Sequence, residues 1–414
     1  MRTPLGTTIL VTLMILLDFY VFSALEAVSV YASPQTQTII YSLYWTVAIL
    51  AIIGLVLFVF TDAHFMAKKI RTYLFATILA FFFAQIVASA FFLVDDVRRI
   101  LQWGFQKAFA QQTTGGSVIF RSQILSWAGL AAGAALFTSL VLGFTNKYNY
   151  RIKRIKLAFK NLPEAFNGFK IVHFSDVHSG SFMNKKAVEE GVQKILDQKA
   201  DLIIFSGDLV NDRATEMENY MDVFSRIKAP MGVYSTLGNH DYGDYVRWPY
   251  HGVSREENLE HLKQVHKQLG WRLMMNEYET IRKGNDEIAL IGIENWSAKA
   301  RFPKHGDMKK AYAGTENYPF KILISHDPSH WETEVVTEYP DVDLTLSGHT
   351  HGMQFGIEIG NFKWSPVQYM YKKWKGLYEH GNQKLYINPG FGFIGYPGRV
   401  GIMPEITVIE LVKA

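Results

Sequence analysis

The sequence predicts two unlike parts: an all-α membrane domain, then an α/β domain built from two packed sheets flanked by helices. Three observations carry this. Four long apolar stretches precede residue 146. Beyond residue 165, short runs rich in β-branched and aromatic residues alternate with helical patterns. Asp, Asn and His residues then recur just past the ends of those short runs.

The apolar stretches run from Thr8 to Tyr31, Ile39 to Phe60, Tyr73 to Val94 and Ile124 to Phe144, with no Lys or Arg inside them. Each approaches the roughly 20 residues a helix needs to cross a bilayer. A cleaved signal peptide accounts for the first alone. Residues 1–145 are therefore expected to form a four-helix membrane domain with the lipid bilayer as partner. Asp18 lies inside the first span; no role follows from sequence. The first loop, around Ser33-Pro34-Gln35, is uncharged. The second holds Lys68, Lys69 and Arg71. The third holds Arg98, Arg99, Lys107 and Arg121 beside Asp95 and Asp96. After the fourth stretch come Lys147, Arg151, Lys153, Arg154, Lys156 and Lys160. The excess of basic residues in the second loop and after the fourth stretch places the N-terminus and the C-terminal domain in the cytoplasm, with a bacterial inner membrane as the expected location; the third loop dissents. Residues 146–164 read as a basic juxtamembrane linker. It is either a stop-transfer flank or a site for anionic headgroups, at about 1 kcal/mol per Lys or Arg.

With 414 residues the chain exceeds one typical domain. Its net charge of +4 gives no argument for nucleic-acid binding, and its lack of cysteine excludes disulfides, thiolate zinc sites and Cys nucleophiles. Any metal must be held by His, Asn and carboxylates.

In the domain expected over 165–414, strands are predicted at Lys170–Phe174, Asp201–Phe205, Gly232–Leu237, Ile288–Ile293, Lys321–Ile324, Val342–Leu346, Lys384–Ile387 and Ile406–Leu411. Helices are predicted at Lys185–Gln198 and Arg255–Leu269. Continuously apolar strands imply burial on both faces, hence two sheets packed together under helices. Asp176 and His178 follow one strand, Asp208 the next, then Asn239 and His240, His326, and finally His349 and His351. In open α/β sheets the carboxyl edge is where sites assemble.

The order Asp176-Val-His178, Gly207-Asp208, Gly238-Asn239-His240-Asp241, Ser325-His326, Gly348-His349-Thr350-His351 resembles the calcineurin-like metallophosphoesterases over about residues 170–414. The resemblance implies a binuclear centre. Asp176, His178 and His351 would hold one divalent metal, Asn239, His326 and His349 the other, and Asp208 would bridge them. Such a pair needs a carboxylate able to span ions about 3.5–4 Å apart, with a bridging hydroxide attacking phosphorus in line. Manganese, iron and zinc all suit this ligand set. In an extended segment the Asp-x-His and His-x-His spacings put both ligands on one side, with Thr350 pointing away. His240 is expected to protonate the leaving group rather than bind metal. Family phosphatases commonly orient that histidine with an Asp three positions after the bridging Asp; here Asn211 stands there, with Asp212 beside it.

The tail, from Gly348 through Gln354, Leu385–Gly392, Arg399 and Pro404–Ile406, is similar to a branch of membrane-associated YkuE- and YaeI-type phosphodiesterases, with Met353 where a second Gly is usual. That resemblance implies a lipid-linked pyrophosphate such as UDP-2,3-diacylglucosamine, and so lipid A biosynthesis. Trp364, Tyr369, Tyr371, Lys372, Lys373, Trp374, Lys375 and Tyr378 interleave aromatics with lysines. They suit a membrane interface, a headgroup pocket, single-stranded nucleic acid or a packed insertion. Gly390, Gly392, Gly395 and Gly398 read as tight turns, and Arg399 as either a phosphate contact or a structural ion pair. Two other functions compete: a phosphomonoesterase, including a phosphoprotein phosphatase, and a membrane sensor or scaffold whose domain only binds a ligand.

Overall fold

A computed structural model describes residues 4–60, 66–109, 119–302, 304–360 and 362–414. The chain divides into two compact units, Met1–Gly143 and Phe144–Ala414. The first holds four helices long and apolar enough to cross a membrane: α1 (Pro4–Ser29), α2 (Pro34–Phe60), α3 (Lys68–Phe109) and α4 (Gln123–Gly143). Arg98, Arg99 and Lys107 correct the expected loop boundaries, because α3 runs on through them. Asp95 and Asp96 make this possible. Asp95 binds Arg98, and Asp96 binds Arg99 and Arg121, so the charges neutralise one another. Asp18 is buried and accepts a hydrogen bond from Gln85 Nε2, while its main-chain carbonyl accepts one from Tyr44.

The second unit is an α/β sandwich. Its strands are β1 (Arg151–Phe159), β2 (Phe169–Phe174), β3 (Leu202–Phe205), β4 (Val233–Ser235), β5 (Arg272–Leu273), β6 (Glu277–Lys283), β7 (Asp286–Gly292), β8 (Lys321–Ile324), β9 (Leu344–Ser347), β10 (Ile357–Ile359), β11 (Phe362–Trp364), β12 (Gly376–His380), β13 (Gln383–Ile387) and β14 (Glu405–Lys413). Its α-helices are α5 (Lys185–Leu196), α6 (Met221–Phe224), α7 (Arg255–Leu269), α8 (Met308–Tyr312) and α9 (Val336–Glu338). One six-stranded sheet has the order β1-β14-β2-β3-β4-β5 and the other β12-β13-β9-β8-β7-β6. Strands β2 to β5 are parallel, as are β13, β9, β8 and β7, so their carboxyl ends lie along a common edge of each sheet.

Alternation sorts the side chains into layers. Ile171, Leu202, Ile204, Ile322, Ile324, Leu344 and Leu346 fill the space between the sheets. Val172, Ile203 and Phe205 face α5 and α7 on one outer side, and Leu323, Leu385 and Ile387 face Trp331 and Val335 on the other. Each fully buried aliphatic side chain of this kind contributes about 1.5–3 kcal/mol. The predicted α7 begins and ends where its caps dictate: Ser254 and Glu257 form a reciprocal capping box, and Gly270 closes the helix at φ 77°.

The expected linker over 146–164 is corrected. Arg151–Phe159 forms β1, parallel to β14 across its whole length. Its alternating basic residues belong to an edge strand, where charge discourages pairing with another chain.

Candidate metal centre

Every loop that carries a ligand motif leaves a strand at its carboxyl end. Asp176 and His178 follow β2, Asp208 follows β3, Asn239 and His240 follow β4, His326 follows β8, and His349 and His351 follow β9. The backbone there is not extended, which corrects the expected alternation. Asp176, His178, Asp208, His349 and His351 have φ values of 52°, 48°, 62°, 72° and 51°. Left-handed backbone costs non-glycine residues on the order of 1 kcal/mol or more each. The fold meets that cost with buried hydrogen bonds. The Asp241 carboxylate accepts from the amides of Asp208 (2.9 Å), Leu209 (2.8 Å), Val210 (3.3 Å) and Gly238 (2.8 Å), tying two site loops together. Asp176 accepts from the His349 amide at 3.0 Å and from Ser175 Oγ. Gly392 allows a third loop to approach, since a Cβ there would lie 1.9 Å from the Val177 carbonyl oxygen.

Two groups of ligand atoms result: Asp176, His178 and His351, and Asp208, His326 and His349. Asp208 Oδ2 lies 3.1 Å from His326 Nε2 and 3.5 Å from His178 Nε2, so one oxygen faces both groups. Asn239 Oδ1 is 2.7 Å from His349 Nδ1 and thereby joins the second.

The donor set fits divalent cations on its own chemistry. His178 Nε2 and His351 Nε2 face each other at 3.0 Å. His326 Nδ1 donates to the Ser206 carbonyl at 2.6 Å, which leaves Nε2, 3.1 Å from Asp208, as the nitrogen that can bind a cation. Tyr371 donates to Asp327 Oδ2 at 3.2 Å and receives His349 Nε2 at 2.8 Å. His349 Nδ1 is then a bare acceptor, and it faces the Asn239 carbonyl oxygen, whose amide nitrogen donates to Tyr245. Acceptor facing acceptor is repulsive until a cation sits between them.

The titration behaviour shows the same demand for positive charge. Burial opposes charge on His326, yet the Asp208 and Asp176 carboxylates raise its pKa to about 10. Burial likewise opposes charge on Asp208, but His326 and His240 hold it well below the usual carboxylate range. Burial, helped by the neighbouring histidines, pushes His178 well down and lowers His349.

His240 stands apart from both groups. Its ring packs edge-to-face on His178 at 4.9 Å and lies 4.4 Å from Tyr245. Its Nδ1 is 2.7 Å from the backbone carbonyl of Asn211, which fills the place of the absent orienting carboxylate. Arg399 is corrected as a substrate contact. It is fully buried, and its guanidinium donates to the carbonyls of Gly390, Gly392 and Ile402, bracing the glycine turns against the site.

Sequence reasoning assigned no role to Asp241, Tyr245 or Asp327, and it read Tyr371 only as one of the aromatics interleaved with lysines, whereas it is buried against His349 and Asp327. Asp241 was visible inside the Gly-Asn-His-Asp run; the others act across the fold and carry no local signal.

Comparison with known proteins agrees with this geometry. A family model described as calcineurin-like phosphoesterase matches residues 169–353, and one described as the transmembrane domain of a probable calcineurin-like phosphoesterase matches residues 1–147. The metallophosphoesterase YkuE of Bacillus subtilis is 30% identical over 254 residues, covering 60% of this chain and 81% of that one. The phosphodiesterase YaeI of Escherichia coli is 27% identical over 289 residues, covering 68% and 97%. A zebrafish transmembrane protein with a metallophosphoesterase domain is 28% identical over 273 residues; the match covers 64% of this chain but only 58% of the zebrafish protein.

Proposed function

This chain is a member of the calcineurin-like phosphoesterase family, and from that premise we propose that it is a membrane-anchored, two-metal phosphohydrolase acting on a phosphodiester or phosphoric anhydride. One observation carries the proposal: a single oxygen of Asp208 faces His326 on one side and His178 on the other, so one carboxylate serves both ligand groups. Divalent cations bound there would supply a nucleophile at neutral pH and neutralise charge developing at phosphorus. Manganese, iron and zinc each suit the ligands.

The chain's own part follows from its contacts. Asp176, His178 and His351 would hold one cation; Asn239, His326 and His349 would hold the other. The Ser206 carbonyl, Tyr371 and Asp327 fix which histidine nitrogens carry protons. His240, oriented through Nδ1, has Nε2 left to give a proton to the leaving oxygen.

The substrate we infer is amphiphilic: a lipid-linked phosphate, such as UDP-2,3-diacylglucosamine, met at the cytoplasmic face of a bacterial inner membrane. The surface beyond the last ligand supports this. Ile357, Ile359 and Phe362 share one face of the β10–β11 hairpin and are exposed, as are Met353, Tyr369 and Met370. The lysines support it less than the sequence suggests, because Lys363, Lys373 and Lys375 are bound to the Lys375 carbonyl, Glu332 and Glu358. Purified full-length protein with added manganese is expected to hydrolyse bis-p-nitrophenyl phosphate faster than p-nitrophenyl phosphate, and a chelator is expected to stop it. A faster monoester reaction would transfer the conclusion to a phosphomonoesterase. No hydrolysis of either with manganese, iron or zinc would sink the proposal.

A further inference from the structure

The loop between β7 and α8 carries two cations that the chemistry above does not use. Lys299 and Arg301 are both exposed, and among the described residues neither is in a salt bridge with a carboxylate. Phe302 anchors the loop to the site by meeting the His349 ring edge-on at 4.9 Å. Lys299 Nζ lies 5.3 Å from the centre of the Tyr371 ring, whose hydroxyl bonds His349. The Arg301 guanidinium lies 4.5 Å over Phe302. Phe302 and Tyr371 thus place the loop beside His349.

We propose that Lys299 and Arg301 are specificity-determining residues that hold a second anionic group, attached next to the scissile phosphate. The proposal rests on the phosphohydrolase reading, and it selects within it. A phosphate held at Asn239, His326 and His349 would have this loop as a neighbour. An exposed guanidinium presents a fork of donors suited to a further phosphoryl oxygen, and an ammonium adds a point charge. A simple diester offers these groups nothing; a diphosphate offers a second charged phosphoryl group.

The test measures binding of AMP and ADP to manganese-loaded full-length protein by calorimetry, with hydrolysis of bis-p-nitrophenyl phosphate followed separately. ADP is expected to bind at least about tenfold more tightly than AMP, as one or two charge-assisted contacts allow. In the double variant Lys299→Ala/Arg301→Ala that ratio is expected to fall to about one, while kcat and KM for bis-p-nitrophenyl phosphate stay within a few-fold of wild type. Equal affinity for AMP and ADP in the wild type, or a ratio that survives the double variant, would overturn the proposal. Failure of bis-p-nitrophenyl phosphate hydrolysis in the wild type would instead count against the phosphohydrolase reading. Arg301→Lys, keeping charge without the fork, is expected to retain part of the ratio.

Discussion

His240 Nδ1 lies 2.7 Å from the backbone carbonyl oxygen of Asn211. The acceptor is main chain, so the ring can be oriented without any particular side chain at position 211. Asn211→Ala should then leave kcat within a few-fold of wild type. His240→Ala should lower kcat by about 10²–10⁴, the usual share of a general acid, with bound metal unchanged by elemental analysis. Wild-type turnover in His240→Ala would remove the assigned role.

Tyr371 supports His349 from outside the candidate ligand set through a 2.8 Å hydrogen bond. Tyr371→Phe keeps the ring and deletes that bond. Metal affinity should fall by about 10-fold or more, as for other groups that orient a ligating histidine. Competition with a chelating dye measures it; unaltered affinity would mean that the bond is incidental.

Asp241 is a structural acceptor. Its carboxylate collects four amides from two loops, and Asp241→Ala strands those donors in the interior. The loss should be on the order of 3 kcal/mol, seen as a lower melting temperature. A melting curve superimposable on wild type would contradict the assignment.

Much of this was legible beforehand, and the reason is chemical. A metal ligand must be His, Asp or Asn of fixed type, and a parallel strand buried on both faces must be apolar, so β2, β3, β8 and β9 and the residues after them declare themselves. What stayed hidden depends on contacts between distant segments. Arg399 looks like a phosphate clamp, but its charge is spent on three carbonyls of the Gly390–Ile402 region. The orienting group for His240 is a carbonyl, which every residue has. The basic alternation of Arg151–Phe159 reads as a linker because an edge strand needs few apolar residues. Left-handed backbone at five site residues is invisible because Asp and His do not advertise it as Gly does.

Asp343 sets a pH dependence remote from the metal centre. Burial raises its pKa from the usual 3.8 to about 6, against hydrogen bonds from Asn161 and the Lys321 amide. Between those pH values the folded chain binds more protons than the unfolded chain, so this group's contribution to stability falls as pH rises from about 4 to about 6 and stays lost above that. Relative to wild type, Asp343→Asn should therefore gain about 2–3 kcal/mol on going from pH 4 to pH 7.5. Parallel stability curves for the two proteins would contradict it.

The most direct test of the binuclear centre is metal stoichiometry by elemental analysis of the purified full-length protein. The expected result is close to two equivalents of transition metal per chain in the wild type, with Asp208→Ala losing from both positions rather than one. A wild-type protein that retains no transition metal after loading with manganese, iron or zinc, or an Asp208→Ala variant that keeps the full complement, would contradict it.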